Sequence, residues 1–111
     1  MYEAKVRGLS TLYVNGDERI EFHISKEKNK IFPHEYNKRL DVLLMFEKDI
    51  YKAGIRSTKA CEYIWICPDL KDQNDKSIKL SDIIKKYGLK KNQSIFLNFL
   101  SKDVLKIKVT Y

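Results

Sequence analysis

Two short polar stretches, Asn37-Lys38-Arg39 and Arg56-Ser57-Thr58-Lys59, gather amide, guanidinium, ammonium and hydroxyl groups between apolar segments. An arginine fork matches the O6 and N7 acceptors of guanine, and an asparagine amide matches the adenine edge. Lysine and hydroxyl groups suit phosphate oxygens, which position a protein on nucleic acid without reading its sequence. The first stretch ends a longer basic segment, KEKNKIFPHEYNKR, in which Lys26, Lys28 and Lys30 add charge and Tyr36 adds a ring able to stack. Lys26, Lys28, Lys30, Tyr36, Asn37, Lys38 and Arg39 thus form one candidate contact set for double-stranded DNA. Arg56, Ser57, Thr58 and Lys59 form the other.

Hydrolytic chemistry lacks its parts. A triad needs a nucleophile, a base and an orienting acid held close together. The two histidines, His23 and His34, belong to no such motif: His34 follows Pro33 in the basic loop, and His23 alternates onto the polar side of a strand. Both are expected in solvent. Asp41, Glu47 and Asp49 are the nearest thing to a carboxylate cluster, related only by strand parity. No glycine-rich loop precedes a helix, so phosphate cradling of the P-loop kind is not indicated. Cys61 and Cys67 lie six apart in CEYIWIC; an extended strand would separate them by roughly 20 Å, beyond disulfide reach. Neither CxxC spacing nor a histidine accompanies them, so both read as free, buried thiols. The expectation is a non-enzymatic chain with no metal and no cofactor.

Charge favours a polyanionic partner. Lysine and arginine outnumber aspartate and glutamate 22 to 15, a net charge of +7. The surplus lies in the second half: ten basic against nine acidic residues precede Arg56, and twelve against six follow from there. Such an excess attracts nucleic acid through counterion release, although lysine also serves simply to keep a small protein in solution. Lys106 and Lys108 read as that kind of solubilising face.

Elements that would position these groups are legible in the spacing. With 111 residues there is room for one domain. No apolar run reaches the ~20 residues of a membrane span, and MYEAKVRG lacks the form of a signal peptide, so a cytoplasmic setting is expected. An extended region from Ala4 to Val14, interrupted at Gly8, leads to Asn15-Gly16, which suits a type I′ hairpin turn. Ile20, Phe22 and Ile24 then alternate inward against Glu21, His23 and Ser25. Asp41–Glu47 reads as a strand buried on both faces, Gly54–Lys59 as a polar interruption, and Asp69–Lys79 as a surface loop. Tyr63 and Trp65, flanked by apolar residues, read as core.

The closing third is the clearest. Leu80, Ile83, Ile84 and Tyr87 share one helical face, with Asp82 near its start and Lys85 and Lys86 near its end, as the macrodipole prefers. Gly88 suits a left-handed cap and Leu89 a return onto Ile84. Ile95, Leu97 and Phe99 then alternate on one strand. Leu105, Ile107 and Val109 alternate with Lys106, Lys108 and Thr110 on the next, after the short loop Ser101-Lys102-Asp103. The expected class is mostly β with one or two short helices, a small barrel closed by this unit.

The segment LSDIIKKYGLKKNQSIFLNFLSKDVLKIKV resembles the closing unit of DNA-binding pseudobarrels, the B-three-like group that includes the plant B-three transcription-factor domain and effector domains of restriction enzymes. Where such units carry Gly-Asp, this chain has Asn92-Gln93. A similar cadence occurs in the swapped-hairpin transition-state-regulator fold, with chains about half as long. The resemblance implies a pseudobarrel whose two loops act as arms in the major groove of double-stranded DNA. Asn37, Lys38 and Arg39 would belong to one arm and Arg56 to Lys59 to the other. It further implies the N-terminal targeting domain of a longer restriction protein, such as a subunit of the Mcr-type machines, with cleavage or nucleotide hydrolysis housed elsewhere. Two rival readings stand beside it: a protein-interaction module of a phage or host-defence protein, and a small RNA-binding barrel.

Overall fold

The computed structural model describes residues 1–109. Strands β1 (Tyr2–Leu12), β2 (Glu18–Ser25), β3 (Leu40–Phe46), β4 (Asp49–Arg56), β5 (Tyr63–Ile66), β8 (Ser94–Ser101) and β9 (Val104–Val109) form a ring in the order β3-β9-β8-β1-β2-β5-β4, and β4 pairs with β3 to close it. The result is a closed seven-stranded barrel in a mostly β chain. All its pairings are antiparallel except β3 with β9, where Leu43 to Phe46 run parallel to Val104 to Ile107. A small hairpin, β6 (Asp69–Lys71) and β7 (Ser77–Lys79), hangs from β4 through the Lys52–Lys71 pair. The single helix α1 (Leu80–Lys86) follows directly.

Alternation builds the interior. Val6, Phe22, Ile24, Leu44, Ile55, Ile64, Ile66, Ile95, Leu97 and Leu105 point inward and are almost wholly buried. Leu105 and Ile107 are buried while Lys106 and Lys108 are exposed, as the strand pattern requires; Thr110 lies outside the described residues. Helix α1 is too short to hold its shape alone. It sinks Leu80, Ile83 and Ile84 into the core, and Tyr87 stacks on Phe46 at 5.1 Å. Its end is a Schellman cap: Leu89 N–H donates to Ile84 O at 2.8 Å, Gly88 N–H donates to Lys85 O at 3.3 Å, and Gly88 takes φ 69°. Asn92 takes φ 67°, a left-handed conformation that asparagine tolerates better than most residues.

Four local expectations are corrected. The Asn15-Gly16 turn is not type I′, since only Gly16 has positive φ (86°) while Asn15 accepts the Asp17 N–H through its side chain. Strand β3 is buried on one face only: Val42, Leu44 and Phe46 point in, whereas Asp41 and Leu43 are exposed. Its partners on both sides leave it in a single curved sheet, and no second layer covers the outside. Asp69–Lys79 is no loop, because β6 and β7 anchor it through Leu70 and Ile78. Gly54, Ile55 and Arg56 belong to β4, so the polar interruption begins at Ser57.

Leu80→Ala is expected to cost about 2–5 kcal/mol, the range for emptying a packed core site. Gly88→Ala is expected to cost about 1–2 kcal/mol through its positive φ. Urea unfolding of both variants against the wild type checks the ranking.

Candidate nucleic-acid interface

The register fixes where the two polar stretches emerge. Ser25 at the end of β2 pairs with Tyr63 at the start of β5. Leu40 at the start of β3 pairs with Ile55, next to the end of β4. The 26–39 loop and the 57–62 loop therefore leave from one end of the barrel. Helix α1 packs at the other, beside Phe46.

Direct bonds join the loops at Ser57. Tyr36 and Ser57 form a parallel bridge, and Asn37 N–H donates to Ser57 O at 2.9 Å. The Ser57 hydroxyl lies 2.6 Å from His34 Nδ1. Lys26 Nζ donates to Thr58 O at 2.6 Å and lies 4.7 Å from the centre of the Tyr36 ring. Asn37 holds φ 62° at this junction, where few residue types are comfortable. Ser57 is 1% exposed. Its place is thus inside the joint, and it is not an outward contact as the sequence led us to expect. His34 is likewise half-buried, against the expectation of a solvated loop histidine, and it meets the Tyr36 ring edge-on at 5.0 Å.

The remaining candidates divide by their commitments. Arg39 pairs with Asp41 at 3.1 Å and its side chain lies over Gly54, where an added Cβ would fall 2.3 Å from Arg39 Nε. Burial pushes the pKa of the Cys67 thiol up, and the positive charges of Arg39 and Arg56 offset part of that rise. Lys38 pairs with Glu35 at 2.9 Å, an exposed contact of little energetic weight. Lys28, Lys30 and Lys59 are exposed and form no ion pair among the described residues. They are the cations most free to meet phosphate.

Sequence reading missed a second group, on the outer face of the barrel wall beneath these loops. Registers align Lys5 with His23, His23 with Trp65, and Trp65 with Arg56 across four adjacent strands. Tyr63 stacks on His23 at 3.8 Å and Trp65 meets Tyr63 edge-on. Tyr63 and Trp65 are therefore half-buried on the outside, not core; Ile64 and Ile66 take the interior positions. His23 also bonds Glu21 Oε1 at 2.9 Å, so neither it nor Glu21 is simply solvated. A shallow groove of about 300 Å³ runs here, lined by Glu3, Lys5, Arg7, His23, Lys28 and Tyr63 among others. Parity was the available signal, because Tyr63 and Trp65 alternate with Ile64 and Ile66 along the strand.

No group of three or more metal-ligating side chains occurs among the described residues; Cys61 and Cys67 are free thiols, Cys67 buried as expected and Cys61, at the edge of the 57–62 loop, only half-buried. No helix among them is long and apolar enough to cross a membrane. Comparison with protein-family models, curated proteins and solved structures returns no match.

His34 links this joint to pH. Burial and the nearby Lys26 charge hold its pKa below the usual histidine value of 6.5. The unfolded chain then binds the proton more readily than the folded one, so the stability tied to His34 is complete above 6.5 and declines as pH falls below it. Melting temperatures recorded from pH 7.5 down to 5.5 are expected to drop more steeply for the wild type than for His34→Gln; parallel curves would remove this role.

Proposed function

We propose that this chain binds a short site on double-stranded DNA, with residues 26–39 and 56–59 as two arms that enter the major groove. The observation that carries the reading is the joint at Ser57, which holds both basic loops at one end of a rigid barrel. One duplex can then meet both arms. Around that end stand Lys26, Lys28, Lys30, Lys38, Arg39, Arg56 and Lys59, against the acids Glu27, Glu35, Asp41 and Glu62. Free lysines neutralise phosphates without regard to sequence, while Arg39, Asn37 and Arg56 carry the groups that read base edges. The B-three-like cadence of the last third supports the same reading. In that setting the chain is the cytoplasmic targeting domain of a prokaryotic restriction protein, and cleavage or nucleotide hydrolysis belongs to other domains or subunits. It needs no cofactor for binding.

The His23, Tyr63 and Trp65 row on the outer wall favours a second reading, since half-exposed aromatics can stack on unpaired bases of RNA or single-stranded DNA. Competition between duplex, single-stranded DNA and RNA at several salt concentrations separates the two.

On a duplex selected from a random pool and a scrambled control, Arg56→Ala is expected to cost about 1–3 kcal/mol on the selected site and to relax sequence preference. Lys28→Ala should weaken both duplexes alike and reduce the salt slope by about one. Mobility-shift titrations measure this, and equal losses on both duplexes from Arg56→Ala would refute its base-reading role.

A further inference from the structure

Resting on the duplex reading above, we propose that Ile31 is an apolar wedge that enters the base stack and unwinds the DNA where the longer arm lands. Ile31 is 82% exposed, yet the residues around it are fixed. Asn29 N–H donates to Ser25 O at 3.0 Å, and its side-chain amide donates to Ser25 O at 3.0 Å and Glu3 O at 3.4 Å. On the other side Phe32 is buried; its ring meets Tyr2 edge-on at 4.9 Å and Phe99 at 5.6 Å, and its N–H donates to Asn29 O at 3.1 Å. Between these anchors a side chain stiff at χ1 is held out from the surface.

Single exposed aliphatics are common, so exposure alone decides nothing. The neighbours of Ile31 decide it. Lys30 adjoins it and Lys28 lies three residues before it, both exposed and without ion pairs among the described residues. Leu12 and Val14, also exposed, lie at the β1–β2 turn, near the barrel end opposite the arms. The chemistry is that of the apolar wedges by which minor-groove proteins kink DNA, applied here from the major groove: the apolar group replaces a stacking contact while the cations hold phosphates beside the opened step. Burying the isoleucine against base faces offsets part of the unstacking cost. Pyrimidine–purine steps open most readily, so DNA containing them is the favoured substrate.

The test needs no knowledge of the recognised site. A relaxed, closed circular plasmid is incubated with the protein and a type I topoisomerase, then stripped of protein and resolved on a gel. The wild type is expected to leave plasmid of lowered linking number. Ile31→Ser should retard the same plasmid with an unchanged salt slope yet leave its linking number unaltered, and Ile31→Met should restore the shift. The wedge is overturned if the bound wild type leaves linking number unchanged, or if Ile31→Ser shifts it equally. Should the wild type fail to retard the plasmid even at low salt, the DNA-binding reading itself falls, and the wedge with it.

Discussion

The parallel pairing of β3 with β9 holds this barrel shut. Leu43 N–H donates to Asp103 O at 2.8 Å, and from there the strands run in register to Phe46 and Ile107. Without that contact the sheet would be an open ribbon with two free edges, and free edges invite pairing with other chains. Closure also sets the direction in which every connection leaves. Because β3 is fixed between β4 and β9, the loop entering it and the loop leaving β4 share one rim. The joint at Ser57 follows from that placement.

Polar bonds at the joint act on a surface where flexibility would otherwise dominate. A loop from residue 26 to 39 is long for a compact domain, and such loops are often functional. Here Phe32 and Asn29 fasten its first half to the barrel end, while His34, Tyr36 and Asn37 fasten its second half to Ser57. Around these fastenings Lys28, Lys30, Lys38 and Arg39 stay exposed, beside Glu27 and Glu35. Rigidity of this kind lowers the ordering cost on binding a partner. Ser57 is central to that arrangement, since it uses both its backbone and its hydroxyl to tie the loops together.

What could be read from the chain depended on how local the cause was. The cap at Gly88 and Leu89, the α1 stripe and the β8–β9 alternation involve residues a few positions apart, and spacing revealed them. Cations and amides of the two loops were visible as composition. The two short strands β6 and β7 were missed because each carries a single apolar anchor, Leu70 or Ile78, too few for a period to register. Tyr63 and Trp65 were placed inside because they sit in one apolar run with Ile64 and Ile66, and hydrophobicity alone does not choose between the two faces. The parallel closure and the His34–Ser57 contact join distant segments; no local pattern announces them.

The central claim is that both basic loops meet one duplex at the same time. Titrating isotopically labelled protein with a short DNA duplex, while following backbone amide shifts by NMR, tests it most directly. The account predicts that amides of residues 26–39 and 57–62 move together, with one shared midpoint, while those of the β1–β2 turn and α1 stay still. Shifts centred on α1 or on Val14 to Asp17, with the two loops unmoved, would contradict it.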